Sequence, residues 1–230
     1  MTGELGLAVW LRLRDRPILV VGGGAVAAAK CAKLLGTGAT ITLVAPRVLP
    51  ELATQAATGA IRWHARPFAD ADVAGQFLVI AATGAAGVDA AVFAACEARQ
   101  IWCNSADIPA ACSAFLMAQR EVGAVCVAVG TGGAAPGLAG RIADQLTQAL
   151  PKKLAGAVDN YAQLRRFVMQ HTTTGPDRSA VLRWLAGLPW RQLAHPKTLT
   201  PTLVAAQIDE IARHSASSSA ASVAKAADPR

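Results

Sequence analysis

Aromatic residues are scarce in this chain: they make up 5% of its 230 residues, and tyrosine occurs once. An aromatic-rich β core is therefore disfavoured. The apolar content is nevertheless 53%, much of it alanine, which suits closely packed helices. No stretch holds 18 or more unbroken apolar residues, so no membrane-spanning helix and no membrane partner are expected. No charged segment followed by an apolar run and a cleavage site stands at the N-terminus, so no secretory signal is expected. The five cysteines, Cys31, Cys96, Cys103, Cys112 and Cys126, are odd in number and form no C-x-x-C pair. That argues against a disulfide framework or a zinc site and fits a reducing cytoplasm. The four histidines, His64, His171, His195 and His214, have no ligand spacing, and no metal site is expected. No internal repeat is present.

The charge is uneven. Residues 1–150 hold 11 Lys and Arg against 10 Asp and Glu, whereas residues 151–230 hold 11 against 5. A basic C-terminal third could attract an anionic substrate or nucleic acid, or be a solvated helix surface. Sparse aromatics and the lack of a basic cluster weaken the nucleic-acid reading, and no nucleic-acid partner is expected.

Strands and helices alternate over the first half. Leu7–Leu13 reads as a short lead-in strand. Strands are expected at Ile18–Val21, Ile41–Ala45, Ile61–Arg66, Phe77–Ala82 and Ile101–Asn104, with helices at 25–35, 50–58 and 88–99 between them. Such alternation predicts a parallel, doubly wound α/β sheet with its binding site at the carboxyl ends of the strands. After Pro109 the pattern changes. Phe115–Met117 and Val125–Val129 read as strands of a smaller sheet, and a helix runs from Pro136 to Leu150. Helices follow at 154–170, 178–185 and 202–213, and the Ser/Ala-rich segment 215–230 reads as a disordered tail. The domain boundaries expected are 1–113, 114–150 and 151–214, with that tail beyond.

The most informative stretch is Ile18-Leu19-Val20-Val21-Gly22-Gly23-Gly24-Ala25-Val26-Ala27. It is a G-x-G-x-x-A fingerprint placed between a strand and a helix, as dinucleotide binding needs. Gly22 allows the tight turn, Gly24 lets backbone approach a pyrophosphate, and Ala27 lets the helix pack close to the strand. The helix N-terminus would present N–H groups and partial positive charge to the phosphates. A glycine turn that binds nothing is the plainer alternative.

Four motifs in order carry a family resemblance. They are Gly22-Gly23-Gly24-Ala25-Val26-Ala27 with Lys30, the strand end Ala81-Ala82-Thr83, Cys103-Asn104-Ser105-Ala106-Asp107-Ile108-Pro109, and Gly132-Gly133-Ala134-Ala135-Pro136-Gly137-Leu138-Ala139. Over about residues 7–170 the chain resembles the precorrin-2 dehydrogenase/sirohydrochlorin ferrochelatase family, which includes the N-terminal half of bacterial sirohaem synthase. The resemblance implies a Rossmann-type domain, a small α+β dimerisation domain and a C-terminal helical domain, working as a homodimer. It implies NAD-dependent dehydrogenation of precorrin-2 to sirohydrochlorin. Many members also insert ferrous iron, which would then be a substrate. No methyltransferase domain follows, so a stand-alone enzyme is expected. The chain departs from the family at Gly130-Thr131, where two hydroxyl residues usually stand and some members carry a phosphorylatable serine at the second position. It also has Ala135 in place of serine and Ala118 in place of proline.

The resemblance places the catalytic aspartate at Asp107, expected to accept a proton during dehydrogenation and to serve iron insertion too. An Asx-turn residue before Pro109 is the structural alternative. Gly22, Gly23, Gly24, Ala25, Val26, Ala45, Pro46, Ala82 and Thr83 are the expected cofactor-binding residues. Asn104, Ser105, Thr131 and Gly132 are the expected substrate contacts, with turn capping an equal alternative for Asn104. Arg47, about twenty residues past the fingerprint, would suit an NADP 2′-phosphate, whereas the resemblance implies NAD. Precorrin-2 carries eight carboxylates, which the basic C-terminal helices would help to hold. A dehydrogenase served by a separate chelatase and an NAD-sensing module without chemistry are the rival functions. The Asn104–Pro109 segment argues against the sensor, which needs no carboxylate there.

Overall fold

The computed structural model describes residues 6–195, 197 and 199–226, of which 216–226 are described by backbone alone. These residues divide into two compact units, one within Met1–Met117 and Gly130–Pro136, the other within Ala118–Val129 and Gly137–Arg230.

In the first unit, runs of β-branched and leucine residues form five parallel strands: β1 (Pro17–Val21), β2 (Thr40–Val44), β3 (Arg62–His64), β4 (Leu78–Ala81) and β5 (Trp102–Ser105). Helices α1 (Ala25–Leu35), α2 (Pro50–Ala57) and α3 (Ala86–Glu97) connect them. The strand order is β3-β2-β1-β4-β5. The chain thus winds outward in one direction from β1, returns, and winds outward in the other from β4. This is the expected doubly wound, Rossmann-like sheet, with its switch point between β1 and β4.

The two faces follow from strand periodicity. Ile18 and Val20 pack with Ala27, Ala28, Cys31 and Leu34 of α1 and Leu52 of α2. Leu19 and Val21 pack on the other face with Val92, Ala95 and Cys96 of α3. Alanine at the buried positions of α1 brings that helix close to the sheet.

Close approach also governs the end of β1. Gly22 has φ +125°, and a Cβ built on it would stand 2.1 Å from the Ala82 carbonyl oxygen. A Cβ on Gly23 would stand 2.0 Å from the Arg47 carbonyl oxygen. Gly24, by contrast, has an ordinary extended backbone (φ −90°, ψ −171°), and a Cβ on it would meet nothing within 4 Å.

The second unit holds an antiparallel hairpin of β6 (Ala118–Val122) and β7 (Val125–Val129), turning at Gly123 (φ +59°). Arg120 of β6 makes a two-pronged ion pair with Asp144 of α4 (Pro136–Ala149), at 2.5 and 3.1 Å. Helices α5 (Leu154–His171), α6 (Pro176–Gly187), α7 (Trp190–Leu193) and α8 (Pro201–Ala226) complete it. Their core is Leu164, Val168, Val181, Leu185, Leu199 and Val204. The buried Asn160 amide donates to the Leu193 carbonyl at 2.9 Å and so ties α5 to α7.

Three expectations need correction. Leu7–Leu13 is not a strand. No strand of the sheet pairs with it, and Leu7, Val9 and Trp10 are exposed, Leu7 at 88%, while Leu13 packs against the sheet core. The first strand of the small sheet is Ala118–Val122, not Phe115–Met117, because β7 pairs with it across the Gly123 turn. The Ser/Ala-rich segment expected as a tail continues α8 as backbone helix to Ala226, and residues 227–230 lie outside those described. Alanine is the best helix former, and neither Gly nor Pro interrupts that run.

These close approaches separate the three glycines. Gly22→Ala combines overpacking with a positive φ and is expected to cost at least about 2 kcal/mol. Gly24→Ala is expected to change stability by less than about 0.5 kcal/mol. Urea unfolding of the two variants beside the parent chain measures the difference.

Candidate functional site

A cavity of about 570 Å³ opens at the carboxyl end of the sheet, where β1, β2 and β4 terminate. Gly22, Gly23 and Gly24 form one wall, Ala45, Pro46 and Arg47 a second, and Thr83 with Val88 a third. The glycine turn is held by backbone bonds that extend the sheet ladder: Gly22 N–H donates to Val44 O at 3.0 Å, and Ala82 N–H donates to Val21 O at 2.8 Å. Leu49 N–H donates to Gly23 O at 3.0 Å.

Helix α1 begins at this wall. Its first bond is Ala28 N–H to Gly24 O at 3.0 Å, so the N–H groups of the first turn have no partner one turn back. Gly24 lines the cavity with open space where a side chain would be. Ala25 and Val26 are exposed at the start of the helix. Open backbone, helix N-terminus and cavity coincide here, and together they could hold a pyrophosphate. Of the nine expected cofactor residues, six line the cavity. Ala25 and Val26 adjoin its wall in sequence, and Ala82 is buried directly beneath Gly22.

Thr83 is fixed from below by a residue that sequence reasoning passed over. Asp89, in the first turn of α3, is 1% exposed. Its Oδ1 accepts the Thr83 hydroxyl at 2.7 Å and the Thr83 N–H at 3.3 Å. The Thr83 hydroxyl oxygen in turn accepts Ala85 N–H at 3.1 Å. Asp89 Oδ2 is buried and has no hydrogen-bond partner. The available signal was a threonine ending a strand, with an acid six residues later at the start of a helix.

The β5 loop leaves the same edge of the sheet, tied by Ala106 N–H to Ala81 O at 2.9 Å. Asp107 is exposed on it. Asn104 and Ser105 are buried. The Asn104 amide donates to Ala114 O at 2.9 Å, and its Oδ1 lies 3.5 Å from Lys30 Nζ of α1. Burial and neighbouring Lys33 hold the Lys30 ammonium below its ordinary value, with Cys112 opposing. The Ser105 hydroxyl is buried without a partner.

The glycine-rich turn after β7 lies against this loop. A Cβ on Gly133 would stand 2.9 Å from Phe115 and 3.3 Å from Pro109. Within that turn the Thr131 hydroxyl oxygen accepts Ala135 N–H at 3.1 Å, and Gly132 is exposed with φ +58°. The structure therefore brings the glycine turn, Ala45, Pro46 and Thr83 together around one cavity. It groups Asp107, Thr131 and Gly132 on two adjoining loops, and it sets Asn104 and Ser105 beneath Asp107 as buried supports. No group of three or more His, Cys, Asp or Glu side chains that could hold a metal ion occurs among the described residues.

Residues 9–118 match a protein family described as "Putative NAD(P)-binding". The chain is 38% identical over 172 residues to the siroheme synthase of Methylobacillus flagellatus, covering 75% of this chain and 37% of that one. It is 40% identical over 156 residues to siroheme synthase 3 of Aeromonas hydrophila, covering 68% of this chain and 33% of the relative. The chain thus spans about a third of the length of the curated relatives it matches. A solved structure named "SirC, precorrin-2 dehydrogenase" has the same fold, with a TM-score of 0.70 and 23% identity, over 89% of this chain and 100% of that one. Shared sequence over about three quarters of this chain relates it to the matched third of the siroheme synthases, and its fold is that of the solved precorrin-2 dehydrogenase.

Proposed function

We propose that this chain is an NAD-dependent dehydrogenase that oxidises precorrin-2 to sirohydrochlorin. The observation that carries this reading is the pairing, at one edge of the sheet, of an open glycine-turn cavity with a loop that presents an exposed carboxylate. The reaction removes a hydride and a proton from the tetrapyrrole. The hydride acceptor would be supplied by NAD. Gly22–Gly24 and the first turn of α1 would hold its pyrophosphate, and Ala45, Pro46 and Thr83 would line the adenosine end. NAD is favoured over NADP by the family, although Arg47 lies at the cavity wall. Asp107 takes the proton. Its exposure lets it reach both a bulky substrate and water, so the proton can leave after each turnover. Thr131 and Gly132 lie on the adjoining turn and offer a hydroxyl and backbone N–H groups to a substrate carboxylate. Asn104 and Ser105 act from beneath.

Ferrous iron is proposed as a further substrate. Its insertion needs pyrrole protons removed, a task the same carboxylate can perform. The domain roles follow the same reading: a cofactor domain at 1–113, a dimerisation segment at 114–150 and a helical domain at 151–214. Dimer formation is supported by the hairpin, in which neither strand has a fully buried residue. It is also supported by Leu138 and Leu146 of α4, 51% and 49% exposed and eight residues apart. Exposed apolar side chains of this kind suit the interface of a two-fold dimer. All five cysteines are free thiols, which favours the reducing cytoplasm. No helix among the described residues is long and apolar enough to cross a membrane.

Three measurements test the reading. Asp107→Asn keeps the size and turn-forming capacity of the residue but accepts no proton. It is expected to lower precorrin-2 turnover by about 10²–10⁴-fold with NAD affinity unchanged, and wild-type turnover would reduce Asp107 to a loop former. Gly24→Asp places a carboxylate at the open side of the turn and is expected to weaken NAD binding by titration in a protein that melts like the parent. Light scattering at micromolar concentration is expected to give the mass of two chains, and a monomer would sink the dimer.

A further inference from the structure

The loop that carries Asp107 is closed from inside. Ser113 and Ala114 N–H groups donate to Cys103 O at 2.9 and 3.0 Å, and Cys103 N–H donates to Ser113 Oγ at 2.9 Å. The Asn104 amide adds its bond to Ala114 O. These contacts lay the returning segment of the loop along β5. The crest, residues 105–112, has a different closure, made by one sulfur. Cys112 Sγ accepts Ser105 N–H at 3.1 Å and lies 3.2 Å from Ser105 O and 3.6 Å from Ile108 O, the two carbonyls to which its hydrogen can be donated. Asp107 sits between those two carbonyl residues.

We propose that the Cys112 thiol is a positioning residue for the reaction, fixing the Asp107 carboxylate by bridging the backbone on both sides of it. The inference rests on the reading of Asp107 as the proton acceptor. Packing volume alone does not account for the residue, because Ser105 is 4% exposed. An apolar side chain at 112 would strand the Ser105 N–H where water does not reach it. The sulfur has to donate as well as accept, and its surroundings allow this. Burial pushes the Cys112 thiol above its ordinary value, against the Ser105 N–H and the Lys30 charge, which pull the other way. It therefore stays protonated at neutral pH. A group that only filled space would leave Asp107 free to swing with its loop, and small misplacements of a reacting group cost about 10²-fold in rate.

The test uses the full chain with Cys112→Ala and Cys112→Ser. Serine can still donate and accept; alanine can do neither. Hydrogen exchange of the 105–111 amides is read first, in the absence of substrate. Cys112→Ala is expected to exchange there at least tenfold faster than the parent, with β1 and β2 unchanged, and Cys112→Ser to fall between. With precorrin-2, Cys112→Ala is expected to lose about 10- to 100-fold in kcat while the Kd for NAD stays the same, and serine to restore part of the rate. Parental exchange in Cys112→Ala overturns the proposal, whatever the activity. Faster exchange with an unchanged kcat in an active enzyme overturns the positioning role. If the parent chain does not turn over precorrin-2 but the loop still loosens in Cys112→Ala, the sulfur closure stands and the functional reading falls.

Discussion

Backbone packed directly on backbone at the end of β1 is the constraint on which the site depends. Where most turns are separated by side chains, Gly22 faces the Ala82 carbonyl and Gly23 the Arg47 carbonyl at distances no Cβ could occupy. Three strand ends thereby converge more closely than side chains would permit. The ladder continues past the strands themselves, through Gly22 N–H to Val44 O and Ala82 N–H to Val21 O. The first residue released from this packing is Gly24, and it is also the residue from which α1 starts. The helix N-terminus is aimed at the cavity because the two residues before it have no freedom to aim it elsewhere. The alanines on the buried side of α1 extend the same logic, since a larger face would lift the helix off the sheet and turn its first N–H groups away.

Each loop at this edge is held by a different kind of interaction. The β1 turn is held by sterics and backbone bonds alone. The β4 loop is held by a carboxylate, Asp89, which takes both the hydroxyl and the N–H of Thr83. The β5 loop is held by an amide and a sulfur, Asn104 and Cys112. The last two place polar atoms in the interior, where an unmet partner is costly. Such groups fix geometry more sharply than apolar packing does, because only one arrangement satisfies them.

Local signals were legible in the sequence, and long-range polar pairings were not. Helix α1 and strand β7 match their expected spans residue for residue, since apolar periodicity and flanking Gly or Pro suffice to bound them. The glycine turn was readable because its requirements lie within six residues. Leu7–Leu13 shows the limit of apolar content: a strand also needs a neighbour, and none is given by the segment itself. Strand β6 was misplaced because Ala-Gln-Arg-Glu-Val holds three consecutive polar residues and shows no apolar run. Its partner is β7, and the sign was the Gly123 turn rather than the strand's own hydrophobicity. At the site, Lys30 meets Asn104 across 74 residues, and no spacing rule reveals such a pair. Cys112 was visible as a cysteine near the motif, but its bonds to Ser105 and Ile108 depend on the loop's path.

The two aspartates at this edge show how burial assigns roles to one chemical group. Asp89 is closed off from water, with one oxygen engaged by Thr83 and the other facing no partner. Its contribution is to hold the turn through the hydroxyl and N–H of Thr83. Asp107 stands exposed on a loop whose internal bonds leave its carboxylate unengaged by any described hydrogen bond, while its neighbours Asn104, Ser105 and Cys112 are spent on the loop's own closure. A proton acceptor needs this combination: a free carboxylate for the substrate, water for release, and a rigid support. Either aspartate alone would satisfy a search for an acid near the glycine turn. Only the pattern of hydrogen bonds beneath them separates the one that builds a turn from the one left open to solvent.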